Sequence, residues 1–565
     1  MNFSDLTSKI ACGESSFAVL RSSNCIYVDK TELIYMLTRE YCPVLLTRPR
    51  RFGKSLILST LEELFLHGTK ACDGHDSYFK GLAIEKLWQD EGPYKVILLD
   101  LGAPFIQYLD SAASFEQRLC TVIREKSLEI GIKPDDNKTY VFDLLENLVN
   151  QAPPQTVVLL IDEYDAPLTA KMHNPKEFQQ IKRILRAIFA KLKGISYKFR
   201  CVFMTRITSY KEPSVFSAPD NIRDISLASE YAAIAGFTRE ELKKYFHDHL
   251  VYAAAVSKHL SQEQVTDADL ELLLDEMQEW YGGYCFDRYA KTRVFSTWSV
   301  LNFFLSKNAK FKPYWYNSGG SPEILKHSVR ELGDFFFRLL RSEPLPADKY
   351  EFSGPPDFEH MHPAVLLYQT GYLTISSSPL HSDYLKLGFP GRELRNALTR
   401  LCHGMLFCKP GVLDFIDDEE LASRQSAAEV VAYFNKIFTF MDYEHITVDS
   451  EWRLINLLCV FFAVWDNYAL SVYDDRIRKP AGLIVKTPRR TVVLEVKLAQ
   501  DADPVPGRKA DVPGADYAKL LEEARTVLQH RDYGKTLQKA RQKICLAAVF
   551  SQAEGKFVQF CEYQR

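Results

Sequence analysis

The chain has no C-x-x-C pair and no clustered Cys/His spacing among its 12 cysteines and 13 histidines, which argues against a zinc site and against a disulfide framework. It also has no apolar run that could span a bilayer. The longest, Leu457 to Trp465, is less than half of the roughly 20 residues a membrane helix needs. No signal-peptide pattern occurs at Met1-Asn2-Phe3-Ser4-Asp5, so the cytoplasm is the expected compartment and no membrane partner is expected. Strong charge of one sign is missing as well: 70 Lys and Arg against 73 Asp and Glu leave a formal net charge of −3, unsuited to a general polyanion binder. No internal repeat or low-complexity tract occurs.

Core material is plentiful. At 46% hydrophobic and 13% aromatic, 565 residues can build three or four domains of about 100 to 200 residues each. Residues 476 to 545 depart from the neutral average, with 16 Lys and Arg against 8 Asp and Glu, an excess of +8 that leaves −11 on the remainder. Such a patch suits a nucleic-acid backbone, and a solvated helical face explains it equally well. The segment from Leu498 to Gly514, rich in Asp, Pro and Ala, reads as a loop.

Two motifs carry chemistry. Thr47-Arg48-Pro49-Arg50-Arg51-Phe52-Gly53-Lys54-Ser55 follows the apolar run Pro43-Val44-Leu45-Leu46 and opens the helical pattern Leu56 to Leu61. A strand, a tight loop ending in Gly-Lys-Ser and a helix wrap backbone N–H groups around a nucleotide's phosphates. Lys54 is then the point charge for the β/γ-phosphates, and the Ser55 hydroxyl a ligand for Mg²⁺. Arg48 stands where the usual G-x-x-x-x-G-K-[ST] pattern has its first glycine. The second motif, Thr156 to Glu163 (TVVLLIDE), is a buried-strand pattern ending in two acids. Asp162 is placed to hold Mg²⁺ through water, and Glu163 to polarise an attacking water.

Between them in the chain lies the strand pattern Lys95 to Leu101, and beyond them Arg200 to Thr205. Helical patterns over 112 to 129, 140 to 151 and 176 to 193 separate these runs, which describes a parallel sheet covered on both faces. Thr205 and Arg206 fall at the carboxyl end of a strand, where open α/β sheets bind ligands. Either is placed to sense a γ-phosphate; for Arg206 a structural ion pair is the alternative.

The segments Tyr27 to Thr31 (YVDKT), Thr47 to Ser55, Leu160 to Leu168 (LIDEYDAPL), Gly236-Phe237-Thr238, Trp280 to Tyr284 (WYGGY), Trp298 to Asn302 (WSVLN) and Gln369 to Leu373 (QTGYL) run in order over most of the chain. Together they resemble the bacterial AAA-ATPase-like family fused to a PD-(D/E)XK nuclease-like domain. In that family the arginine-bearing loop is the usual form, which accounts for Arg48. The resemblance implies ATP and Mg²⁺ as cofactors, with Arg48, Pro49, Arg50, Arg51, Phe52, Gly53, Lys54 and Ser55 as the nucleotide loop. It implies Ser55 and Asp162 at the metal, and Glu163, Asp162 and Arg206 in catalysis.

It also implies a nuclease core near residues 482 to 497. Strands Leu483-Ile484-Val485 and Thr491 to Leu494 flank the turn Lys486 to Arg490, and Glu495 and Lys497 share a face of the second strand. A carboxylate to hold Mg²⁺ and an ammonium to position water are what metal-assisted hydrolysis needs. The first metal carboxylate is missing, because Gly482 occupies its position. Asp474 or Asp475, a few residues upstream, and Glu451, near the start of an apolar helix, are the acids that could replace it. Gln529 and Tyr533 match the family's Q-x-x-x-Y signature and rank behind Glu495 and Lys497.

The expected organisation is a P-loop NTPase parallel sheet over 1–235, a helical lid over 236–310, a helical or winged connector over 311–440 and a C-terminal α/β restriction-endonuclease-like domain over 441–565. Trp280, Tyr281, Tyr284, Trp298 and Trp315 read as core rather than a base-stacking platform. The expected function is ATP binding with hydrolysis that controls the C-terminal module. Two alternatives stay open: an ATP-dependent nuclease with a relocated acid, and a nucleotide-switched scaffold without turnover. Nucleic acid at the C-terminal domain and a second copy of the chain are the further partners left open.

Overall fold

The computed structural model describes residues 3–563 except 72–75, 90, 91, 93, 108, 209–221, 319–338, 340–343, 350, 354–361, 380, 381, 407–419, 442, 444, 445, 464–468, 475–480, 488, 501–515 and 531–541. The chain forms two compact units, one of Met1–Pro322 with Pro344–Leu394 and the other of Glu323–Glu343 with Arg395–Arg565. The stretch 311–440, expected to be one connector, is thus shared between them.

The first unit is built on a five-stranded sheet of β1 (Val44–Thr47), β2 (Lys95–Asp100), β3 (Val157–Asp162), β4 (Phe199–Arg206) and β5 (Arg223–Asp224). The order is β2-β3-β4-β1-β5 and every pairing is parallel. β1 and β3 are buried at every position, as expected for strands covered on both faces. The helix Lys54–His67 lies against β2 and β3, and Ala112–Glu129 packs on β2 and on the helices Val141–Gln151 and Pro175–Ile195. The order sets the site: β4 lies between β1 and β3, so the ends of all three strands converge.

Residues 237 to 309 form a helical cluster with its own core, including Leu242, Phe246, Leu274, Met277, Tyr281, Val300 and Phe303. Its helices start where capping chemistry demands. Thr238 caps Arg239–Tyr245 and Thr266 caps Asp267–Tyr281, each in a reciprocal box with the acid three residues on, Glu241 and Asp269. A three-stranded sheet, β6 (Leu345–Asp348), β7 (Thr374–Ser377) and β8 (Tyr384–Gly388), in the order β6-β8-β7, completes the unit with the helix Pro363–Thr370.

The second unit holds a sheet of β9 (Ala469–Asp474), β10 (Ala481–Lys486), β11 (Thr491–Ala499), β12 (Lys543–Ser551) and β13 (Lys556–Tyr563), ordered β13-β12-β11-β10-β9. Only β11 and β12 pair in parallel, and the helix Tyr517–His530 connects and packs on them. Alternation along β11 divides its side chains. Val492, Leu494 and Val496 enter the core made with the helices Ala427–Phe438 and Glu451–Phe462, while Val493 packs with Ala524 and Leu528 on the other face.

Candidate nucleotide site

The loop after β1 turns twice through left-handed backbone, at Arg51 (φ 66°) and Gly53 (φ 87°), and delivers Lys54 to the first position of a helix. The first helical hydrogen bond runs from Ile57 N–H to Gly53 C=O at 3.1 Å. The N–H groups of Lys54, Ser55 and Leu56 therefore begin the helix with no acceptor in the preceding turn, and they carry its positive dipole end. The Lys54 ammonium is buried and donates to the carbonyls of Arg48 and Pro49, at 3.1 Å each. Burial lowers its pKa, against the pull of Glu163 and Asp162.

The acids arrive from β3. Ser55 Oγ donates to Asp162 Oδ2 at 2.6 Å, and the Thr205 hydroxyl, at the tip of the intervening β4, donates to Asp162 Oδ1. Thr205 Oγ1 also accepts from Glu163 N–H at 3.2 Å, so one hydroxyl orients both acids. Glu163 sits at φ 48°, a left-handed conformation that costs a non-glycine residue about 1 kcal/mol or more. Burial pushes that carboxyl above its ordinary pKa, with Lys54 opposing. Asp100, paired in register with Asp162, is raised by burial too, and the charge of Asp162 adds to the effect.

Two inward-facing arginines brace the fold around this site. Arg48 is fully buried, its guanidinium donating to the carbonyls of Thr47 (2.9 Å), Ser226 (2.8 Å) and Tyr231 (3.2 Å) and lying 4.2 Å from the Phe286 ring centre. Burial lowers its pKa to about 10. Its side chain thus ties the root of the loop to residues 226 to 231. Arg206 donates to Thr47 Oγ1 (2.7 Å), Tyr164 OH (2.8 Å) and Asp224 Oδ2 (3.0 Å). The last of these contacts is an ion pair.

The remaining loop residues are held from outside. Phe52 is buried edge-on against Tyr284 and Phe286, and Pro49 lies beside Gly371. Arg51 stacks 4.2 Å over Trp298, Thr297 donates to the Arg51 carbonyl, and Trp315 donates to the Arg50 carbonyl. Sequence reasoning missed three contributors: Asp100, Gly102 beside it, and Asp165. The last is buried and accepts from Ile207 N–H, Thr208 N–H and Thr208 Oγ1, fastening the end of β3 to the end of β4. Asp165 stands inside the LIDEYDAPL segment, which was its signal.

Residues 11–216 match a family described as a predicted AAA-ATPase. That match covers β1 to β4 with Asp100, Asp162, Glu163 and Asp165, and it supports ATP binding by the first unit. A protein of Azotobacter chroococcum mcd 1 described as an uncharacterized protein in the vnfD 5' region is 27% identical over 394 residues, 69% of each chain. That stretch is longer than the predicted AAA-ATPase match, so the likeness continues beyond it. No solved structure matches the chain. Among the described residues, no helix is long and apolar enough to cross a membrane.

In the second unit, Glu495 is buried on β11 directly opposite Gly482 of β10, and Lys497 lies two residues on. Lys497 Nζ meets Glu451, at the first turn of Glu451–Phe462, at 3.4 Å. The helix carrying Gln529 packs on β11. Asp475 and Tyr533 lie outside the described residues, and Asp474 is described only as the strand partner of Ala481. Among the described residues, no group of three or more His, Cys, Asp or Glu side chains is placed to hold a metal ion.

Proposed function

We propose that the first unit binds ATP with Mg²⁺ and hydrolyses it, and that turnover controls the C-terminal unit. The observation that carries this reading is the 2.6 Å hydrogen bond from Ser55 to Asp162, beside a lysine folded back onto its own loop. A hydroxyl and a carboxylate held together at a phosphate loop fit Mg²⁺, a hard cation that takes few protein oxygens and keeps several waters. Bound there, Mg²⁺ supplies neutralisation of the charge that develops on the β- and γ-phosphate oxygens.

The protein's own groups do the rest. Lys54 exchanges the carbonyls of Arg48 and Pro49 for phosphate oxygens, and the N–H groups at the helix start bind the same anion. Thr205 fixes the Asp162 carboxylate, and Glu163, its pKa raised toward the working range by burial, accepts a proton from the attacking water.

The test is ATP binding and phosphate release by wild type, Lys54→Ala and Glu163→Gln. Loss of the ammonium is expected to weaken ATP binding by roughly tenfold to hundredfold. Glu163→Gln is expected to keep binding and lose turnover by roughly 10² to 10⁴. A wild type that neither binds nor turns over nucleotide ends the proposal, and binding without turnover identifies the switch instead.

One contact favours a second reading, a metal-dependent nuclease in the C-terminal unit. Glu451 brings a carboxylate to Lys497, near the end of the strand that carries Glu495. The test is Mg²⁺- or Mn²⁺-dependent cleavage of DNA and RNA, with and without ATP. Cutting that Lys497→Ala abolishes establishes the nuclease; no cutting leaves the unit as a controlled binding module.

A further inference from the structure

The nucleotide reading leaves the WSVLN and WYGGY segments unexplained, and both converge on the loop. Thr297 Oγ1 donates to the Arg51 carbonyl at 2.7 Å, and Trp315 Nε1 donates to the Arg50 carbonyl at 3.3 Å. In a trans peptide the C=O of one residue and the N–H of the next point in opposite directions. A donor fastened to each of these carbonyls therefore turns the N–H of Arg51 and the N–H of Phe52 to the opposite side of the loop. Among the described residues, neither of those N–H groups has an acceptor.

Two further contacts hold the same arc. The Arg51 guanidinium stacks 4.2 Å over Trp298, and the Arg51 backbone is left-handed with φ 66°. Phe52 is locked against Tyr284 and Phe286. Left-handed residues followed by inward N–H groups form the concave anion site known as a nest.

We infer that Thr297 and Trp315 are positioning residues for the phosphates: they grip the loop from behind and preset its N–H groups before nucleotide arrives. The inference rests on the proposed ATP site and assigns to it a part outside the phosphate loop, contributed by residues 284–315. Neither side chain touches the ligand, so each acts through the peptide it orients.

The experiment measures affinity for ATP·Mg²⁺ and for inorganic tripolyphosphate with wild type, Thr297→Val, Trp315→Phe and Thr297→Ser. Val keeps the branched shape of Thr297 without its hydroxyl, and Phe keeps the ring of Trp315 without its N–H. Each is expected to weaken both ligands by about threefold to tenfold, the worth of one neutral hydrogen bond. KM for ATP should rise by the same factor while kcat holds. Thr297→Ser, which retains the donor, should restore wild-type affinity. Equal affinity in wild type, Thr297→Val and Trp315→Phe overturns the inference alone, as does a loss for ATP with none for tripolyphosphate. A wild type that takes up neither ligand overturns the nucleotide reading and this inference with it.

Discussion

A methyl group added at Gly102 would lie 2.8 Å from Glu163 Oε2 and 2.9 Å from Asp100 Oδ1, inside the contact distance of both. Glycine here is a matter of space between two carboxylates. Gly102→Ala is therefore expected to push Glu163 aside and lower kcat by about tenfold to hundredfold, since small misplacements of a catalytic group cost that much. ATP affinity should stay near wild type; an unchanged kcat would remove Glu163 from the reaction. A second residue sets a pH response. Glu393 is fully buried, accepts from Ser299 Oγ (2.7 Å) and Trp315 N–H (2.5 Å), and burial raises its pKa from 4.5 to about 7. Between those values the native state keeps a proton that the unfolded chain has released. Stability thus falls as pH rises from 4.5 to about 7 and is flat above, by ~3 kcal/mol in all. Urea midpoints near pH 5 and near pH 8 should show this loss in wild type and lack it in Glu393→Gln; identical pH slopes in the two would refute the assignment.

At the scale of elements, β1 to β4 are legible because a parallel strand covered on both faces must be continuously apolar, as Val157 to Ile161 and Cys201 to Met204 are. The meeting of Lys54 and Ser55, at the start of a helix, with Asp162 and Glu163, at the end of β3, follows from the same two motifs. Other features left no local trace. β5 is two residues, Arg223 and Asp224, too short for any periodicity. The burial of Arg48 depends on carbonyls of Ser226 and Tyr231, and the grip of Thr297 and Trp315 on residues 50 and 51 spans more than 240 positions. Pattern along a chain reports neighbours, and these partners are not neighbours. In the second unit, the antiparallel register supplies its own prediction. Side chains of directly opposed residues share a face about 4.5 to 5.5 Å apart at Cβ, so an acid at position 482 would stand beside Glu495. Gly482→Asp should add a Mn²⁺ site to those of the wild type, measurable by calorimetry as extra binding heat. No heat beyond that of wild type would show that Glu495 is not a metal ligand in this fold.

At the scale of the whole molecule, two compact units predict two unfolding transitions in calorimetry. ATP·Mg²⁺ at about 100 times its Kd should stabilise the nucleotide-binding unit by about 2.7 kcal/mol and raise its transition. Control of the C-terminal unit requires the second transition to move as well, because coupling between sites is a shared free energy, typically about 1 to 3 kcal/mol. A second transition that ignores nucleotide would leave the two units energetically independent and sink that part of the proposal.

The contact between Gly371 and Pro49 has a practical reach. A Cβ at 371 would come within 2.8 Å of the proline ring, and Trp315 sits beside the same loop with Tyr372 against its indole. A truncated protein ending at residue 310 would retain every residue of the proposed nucleotide site yet strip away the scaffolding beside them, leaving apolar surface bare to water. The shortest recombinant fragment worth expressing for nucleotide work therefore has to extend through Leu394.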